Sequence, residues 1–451
     1  MIALQISIAL VRELLRALFT PFRLLAYLPM RHSWQRIAAD ALREANEQPD
    51  PPPIELVRKL RAKTRSRATG TKAHLFISAG EASGEGHAMR LVQALQGEPI
   101  RFTAFGGEKL QSAGATIRFP LSEHAVMGFI GVLQKLPLIV RAYGNFLRML
   151  RDDRPDLVVL VDYPGLHLVM AKACHRLGVP VLHYVAPQYW AWGPWRMRRY
   201  RRSVDATLTI LPFETTFFRK LGVPAYYIGH PLLDELQRAP ADPIAVASVK
   251  AKPTLCLLPG SRRSEIEANL PGMLRTAERL RALVPDLRVV LPHRDPRRTP
   301  TIRALLEKHH AVFVEHQHGP LAPWLKGARL VLAKSGTGSL EACLHGTPVV
   351  VVYQLRGLLS TIGYHNILSV PYIAAANLIA NRLVIPEFCF HRSEGWDRVF
   401  AAVQDLWHDG SARDACCQGL DAVRKRLGKP GATDRAATLI RAVLLGEQEN
   451  A

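Results

Sequence analysis

Three observations predict an α/β chain of two successive, doubly wound halves. Apolar runs of strand length recur from residue 73 to about 355, many end in a glycine-rich or polar turn, and helix-length stretches alternate with them. Strands separated by helices pair in parallel, and such a sheet is covered on both faces. The rhythm runs through 73–236, breaks near 235–252 and restarts at Pro253. Two such halves imply a cleft between them, with ligands beyond the carboxyl ends of the strands.

The elements follow in chain order. Residues 1–30 are apolar, but their first charge, Arg12, comes after the apolar run, and no small-residue cleavage site follows, which argues against a secretory signal. Arg12, Glu13, Arg16 and Arg23 interrupt the stretch before the roughly 20 apolar residues that a span requires. A basic amphipathic helix remains, lying on a membrane or docked on the protein. Residues 31–72 read as a tether, since the prolines of PDPPP (49–53) stop a helix and RKLRAKTRSR follows. Residues 1–72 hold 13 Lys/Arg and 6 Asp/Glu, a net of +7. That is either a solvated extension or an anchor for anionic lipid, worth about 1 kcal/mol per basic residue near the surface.

The first half opens with AHLFISAGEASGEGHAMRLVQAL, a strand, glycine-rich turn and helix, and RFTAFGG supplies a second strand. DLVVLVDYPG (156–165) is a strand ending at Asp162, and VPVLHYVA, ATLTILPFE and AYYIGHP continue the alternation. The second half runs through PTLCLLPGSRRSE (253–265), LRVVLP, AVFVEH, ARLVLAKSGTGSLEACLHG and PVVVVY. The expected division is 1–72, a basic amphipathic extension and linker; 73–236, a first Rossmann-like half; 237–390, a second Rossmann-like half; and 391–451, C-terminal helices that close the second half or cross back to the first.

Composition fits two folded domains. The chain has 451 residues, 48% of them hydrophobic and 22% charged, which is ordinary for globular protein. The net charge of +21 implies an anionic partner: nucleic acid, anionic lipid or a phosphorylated substrate. The six cysteines are scattered without a CxxC pair, so they read as buried free thiols in a reducing compartment.

Two turns point to a nucleotide diphosphate. Gly260 and Ser261 follow a strand, and Arg262 and Glu265 open a helix. A helix start with a forked guanidinium suits a diphosphate, although the same turn could merely cap the helix. Ser335, Gly336, Thr337, Gly338 and Ser339 repeat the arrangement, with Glu341 placed to accept both hydroxyls of a ribose or to stand solvated. Neither turn matches GxxxxGK[ST] or GxGxxG, which weakens phosphoryl transfer from ATP and hydride transfer from NAD. Asp162 at a strand end could deprotonate an attacking hydroxyl or serve as a hydrogen-bond anchor. No Asp-x-Asp pair is present to hold a metal on a sugar diphosphate, so no metal and no cofactor is expected, and arginine with helix dipoles stabilises the leaving group. YWAWGPWRMRRYRR (189–202) interleaves Tyr189, Trp190, Trp192, Trp195 and Tyr200 with five arginines, Arg196 and Arg199 among them. With the apolar stretch 127–150 it suits a membrane face, single-stranded nucleic acid or ordinary core packing.

Together these segments resemble the lipid-A-disaccharide synthase family, membrane-surface glycosyltransferases of the GT-B fold. The resemblance spans about 74–390 and rests on GEASGE (80–85), FGGEKL (105–110), AVMGFIGVL (125–133), VDYPG (161–165), HYVAPQYWAW (183–192), LPFE (211–214), GHPL (229–232), LLPGSRRSEI (257–266), SGTGSLE (335–341) and NLIANRLVIPE (377–387). It implies an inverting transfer from UDP-2,3-diacylglucosamine to 2,3-diacylglucosamine 1-phosphate that releases UDP. It implies Asp162 as general base; Gly260, Ser261, Arg262, Glu265, Ser335, Gly336, Thr337, Glu341 and Asn377 on the UDP side; and Glu81, Ser83, Met127, Tyr189, Trp190, Trp192, Arg196 and Arg199 on the acceptor and membrane side. The implied partners are an acylated UDP-sugar, a phosphorylated acylated sugar and an anionic membrane surface, with no nucleic acid, and the implied place is the cytoplasmic face of the inner membrane. Three positions depart from the family pattern: Glu85 stands for aspartate, Gly131 for glutamate and Phe390 for glutamine. The alternatives are a diverged paralogue with another lipid-linked acceptor and a non-catalytic UDP- or membrane-binding protein.

Overall fold

A computed structural model of the chain describes residues 2–45, 49–50, 54–64, 70–122, 136–355, 357, 364 and 366–446. The chain divides into two compact units, 1–234 with 429–451, and 235–428.

Among the described residues the first unit holds a seven-stranded parallel sheet in the order β3-β2-β1-β4-β5-β6-β7. Its strands are β1 (Ala73–Ala79), β2 (Ile100–Phe105), β3 (Thr116–Phe119), β4 (Leu157–Val161), β5 (Val181–Tyr184), β6 (Ala206–Thr209) and β7 (Ala225–Tyr227). β1 and β4 are buried at every position, as a sheet covered on both faces requires. Their register pairs Leu75 with Leu157 and Ala79 with Val161, so both strands end together. The strand order reverses at this pair, which puts the turns after β1 and β4 side by side at the switch point.

The second unit holds a six-stranded parallel sheet in the order β10-β9-β8-β11-β12-β13. These strands are β8 (Thr254–Leu258), β9 (Arg288–His293), β10 (Val314–His318), β11 (Leu330–Lys334), β12 (Val349–Gln354) and β13 (Glu387–Phe390). Leu330 pairs with Leu255 and Ala333 with Leu258, so the turns after β8 and β11 flank the second switch point.

Where it is described, the expected tether at 31–72 is instead folded onto the first unit. Helix Arg31–Arg43 buries Ala38, Ala41 and Leu42, and helix Ile54–Arg61 buries Leu56, Val57 and Leu60. The latter three belong to the core cluster shared with β1 and β4. Between these helices, Asp50 accepts from Tyr227 N (2.8 Å) and Arg219 Nη2 (3.0 Å). High charge and prolines masked a short apolar face at helical spacing.

The C-terminal segment splits between the units. Helices Gly395–Trp407 and Ser411–Leu427 lie in the second unit, whereas helix Ala432–Leu445 packs on helix Ala82–Ala94 in the first. Asp234 receives this last helix, accepting from Gly431 N (2.6 Å), Ala432 N (3.1 Å) and Thr433 N (2.9 Å). Burial pushes the Asp234 carboxyl up, but these amide bonds outweigh it and hold it below the usual range.

Candidate active site

Asp162 follows β4 in a turn of unusual backbone. Asp162 and Tyr163 are consecutive left-handed residues at φ 50° and 51°, before Pro164 opens helix Pro164–Arg176. Two such residues cost of order 1–3 kcal/mol each, strain that persists only where neighbours enforce it. Here the Asp162 amide donates to Tyr184 O (3.2 Å). Its carbonyl is bonded to His167 Nδ1 (2.7 Å) and His183 Nε2 (3.0 Å), each ring nitrogen donating. His167 Nε2 then accepts from Ser78 Oγ (2.9 Å) on β1. Burial drives both imidazoles down, His167 to about 3 and His183 to about 4, so both are neutral near pH 7 and hold single tautomers.

The turn after β1 fits against this one. A Cβ on Gly80 would stand far inside van der Waals contact with Tyr163 Cγ, so only glycine lets the two turns close up. Glu81 is half-buried and Ser83 exposed beside it. Glu85 is buried and anchors the FGG turn, accepting from Gly107 N (2.7 Å) and Ser122 Oγ (2.7 Å). This departure from the family pattern therefore has a packing role.

The aromatic-arginine run divides into parts that its sequence did not separate. Tyr189 and Trp190 are buried rather than displayed on a membrane face. Tyr189 meets Tyr200 edge-on at 5.5 Å, and Trp190 Nε1 donates to Glu214 Oε1 (3.0 Å). Glu214 also accepts from Ile210 N and Leu211 N (both 3.0 Å). Burial, aided by the charge of Asp162, raises the Glu214 carboxyl to about 7. Trp192 and Arg196 are exposed, Arg196 lying 5.9 Å from the Tyr189 ring. Arg199 grips Glu13 of the N-terminal extension through Nη2 (2.8 Å) and Nη1 (3.2 Å). Met127 and Gly131 lie outside the described residues.

In the second unit the turn after β8 is drawn together by Glu265, which accepts from Ser261 N (3.2 Å), Arg262 N (3.3 Å), Arg262 Nη1 (2.9 Å) and Lys334 Nζ (3.0 Å). Gly260, at φ 124°, has no room for a Cβ against Glu265. Burial raises the Glu265 carboxyl, yet Lys334 and Arg262 outweigh it and hold it low. One carboxylate thus sits between two cations at the start of helix Arg263–Leu283, leaving net positive charge where its backbone N–H groups point. Lys334 was not singled out from the sequence; its signal is a strand-end lysine immediately before SGTGS.

The second turn, after β11, is fixed by Ser335 Oγ donating to Ile373 O (2.7 Å) and Ser339 Oγ donating to Gly336 O (2.7 Å). Helix Thr337–Leu344 follows and carries buried Glu341. Its Oε1 accepts from Arg294 Nη2 (2.6 Å), while Oε2 is buried with no hydrogen-bond partner among the described residues. Burial raises this carboxyl despite Arg294. A buried acceptor left half-satisfied is costly unless a ligand completes it.

Asn377, expected on the UDP side, and Phe390, a departure from the family pattern, both have internal duties. Asn377 is fully buried and donates to Ile385 O and Glu387 Oε2 (both 2.9 Å) while accepting from Val384 N (2.8 Å) and Ile385 N (3.0 Å). Its amide is saturated, so it holds the β13 approach instead of facing a ligand. Phe390 packs edge-on against Trp396 at 5.5 Å and over Gly395, which explains an apolar residue there.

The family model described as "Lipid-A-disaccharide synthetase" matches residues 75–425. The lipid-A-disaccharide synthase of Myxococcus xanthus is 37% identical over 371 residues, covering 80% of this chain and 95% of that protein. Among solved structures, the S. aureus MnaA–UDP complex superposes with TM-score 0.59 at 15% identity, covering 84% of this chain and 99% of the other. The glycotransferase of kitacinnamycin gives TM-score 0.55 at 18% identity, covering 83% and 99%. These likenesses show the GT-B fold.

Proposed function

Because this chain belongs to the lipid-A-disaccharide synthetase family, glycosyltransferases of lipid A biosynthesis, we propose that Asp162 is the base of an inverting transfer from UDP-2,3-diacylglucosamine to 2,3-diacylglucosamine 1-phosphate. The acceptor's primary hydroxyl gives its proton to the Asp162 carboxylate as its oxygen bonds the sugar C1. The bond from C1 to the diphosphate breaks, and UDP leaves with the electron pair. The observation that carries this reading is the strained Asp162–Tyr163 turn at the first switch point, its carbonyl held by two neutral histidines. A carboxylate whose own backbone is so constrained is positioned before substrate arrives.

The donor side draws on the second unit. Arg262 and Lys334 face the diphosphate at the helix start and offset the charge that grows on departing UDP. The open oxygen of Glu341 accepts a ribose hydroxyl. Gly260, Ser261, Ser335, Gly336 and Thr337 bring backbone close to the phosphates. Glu81 and Ser83 border the acceptor, and no metal is needed in this scheme.

Acylated substrates place the protein on the cytoplasmic face of the inner membrane as a peripheral protein; among the described residues no helix is long and apolar enough to cross a membrane.

The test is UDP release from UDP-diacylglucosamine in detergent micelles with EDTA. Acceptor-dependent release by the wild type, reduced by two or more orders of magnitude in Asp162→Asn, is expected. An Asp162→Asn rate within a few fold of the wild type would remove Asp162 from the reaction.

A further inference from the structure

We propose that residues 2–30 form a docking element that inserts into one leaflet of a bilayer containing anionic lipid. This deepens the membrane-surface reading above and rests on it.

The segment folds as helices Ile2–Leu18 and Thr20–Tyr27 and a short 3-10 turn, Leu28–Met30. Ile8, Val11, Leu15, Leu18, Phe22 and Leu25 are all exposed. The spacing of 3, 4 and 3 from Ile8 to Leu18 draws a stripe along the first helix, and Phe22 and Leu25, three apart, lie on the second. Leu18, Phe22 and Leu25 are each more than 60% exposed. Of eighteen large apolar side chains exposed among the described residues, ten fall within residues 8–30, so this surface is concentrated and not scattered.

The opposite side of the same segment is already occupied. Ile6 lies against Gly144, Glu13 pairs with Arg199, and buried Tyr27 meets Trp195 edge-on at 5.0 Å. The element is therefore seated on the first unit with its stripe turned outward.

Charge selects the occupant. Arg12, Arg16, Lys172, Arg176 and Arg199 form one cationic cluster at the base of the element, close enough that burial and these four arginines together lower Lys172 to about 8. Glu13, bridging Arg16 and Arg199, is the carboxylate among them. An apolar stripe with a surplus of cations beside it matches acyl chains under anionic headgroups. A second copy of the chain would bring the same surplus of positive charge to the contact and be repelled.

The test uses the full chain and sedimentation with phosphatidylcholine vesicles, with and without phosphatidylglycerol. Wild type is expected to bind the anionic vesicles and to be released as salt rises. The double variant Leu18→Glu/Phe22→Glu should bind at least about tenfold more weakly, with its thermal midpoint and its UDP release in detergent micelles unchanged. Vesicle binding by the variant equal to wild type overturns the proposal. So does weakened self-association, read by light scattering, with vesicle binding intact. Micellar activity is read separately, so a failure of the transfer reaction leaves the vesicle result interpretable.

Discussion

Gly80 and Glu341 carry the clearest residue-level consequences. Gly80→Ala must push the Tyr163 ring aside. The expected result is a loss of about 1–3 kcal/mol in urea unfolding, with reduced turnover as the Asp162 turn relaxes. Glu341→Ala removes the open acceptor while Arg294, whose side chain is about half exposed, regains water. In the proposed role as acceptor for a ribose hydroxyl, Glu341 serves ground and transition states equally, so the expected effect is a KM for the UDP-sugar raised about tenfold or more with kcat little changed. Both residues stand in motifs readable from the sequence. Asn377 and Glu85 stand in motifs too, yet their side chains are consumed internally, because a motif marks a constrained position without saying whether a ligand or the fold imposes the constraint.

Strand ends and the turns beyond them were legible because parallel strands declare themselves as short apolar runs, and their order puts each pair of turns at a switch point. The buried polar layer was not legible: His167 and His183 meet at the Asp162 carbonyl, and Trp190 meets Glu214, only once distant segments are brought together. That layer sets opposing pH dependences. Glu214 titrates near 7 when folded against 4.5 as the ordinary value, so the folded state holds its proton longer and stability falls as pH rises from about 4.5 to 7. Glu214→Gln, neutral throughout, should therefore gain on the wild type by about 1–3 kcal/mol between pH 5 and pH 8, measured from urea midpoints. His167 and His183 titrate near 3 and 4 against 6.5, so the unfolded chain takes protons first and their contribution is lost as pH falls from about 6.5 toward 4.

Across the whole molecule, the extension is two things in one length of chain. Leu56, Val57 and Leu60 are core residues of the first unit, each worth about 1.5–3 kcal/mol of burial. Removing residues 1–30 is expected to abolish vesicle binding and to lower the thermal midpoint, since buried Tyr27 leaves the Trp195 ring uncovered, with the protein still folded. Removing 1–72 should yield aggregated or unfolded protein, as size-exclusion chromatography would show. The first unit is also finished from the far end of the chain. Ala436, Ala437, Leu439, Ile440, Val443 and Leu444 fill its core, and 194 residues of the second unit intervene between Asp234 and Lys429. A ribosome adding 5–20 residues per second needs roughly 10–40 s to cross that interval. For that time the nascent first unit carries an open apolar slot and an uncapped Asp234, which makes it a client for chaperones and a target for proteases until the last helix emerges.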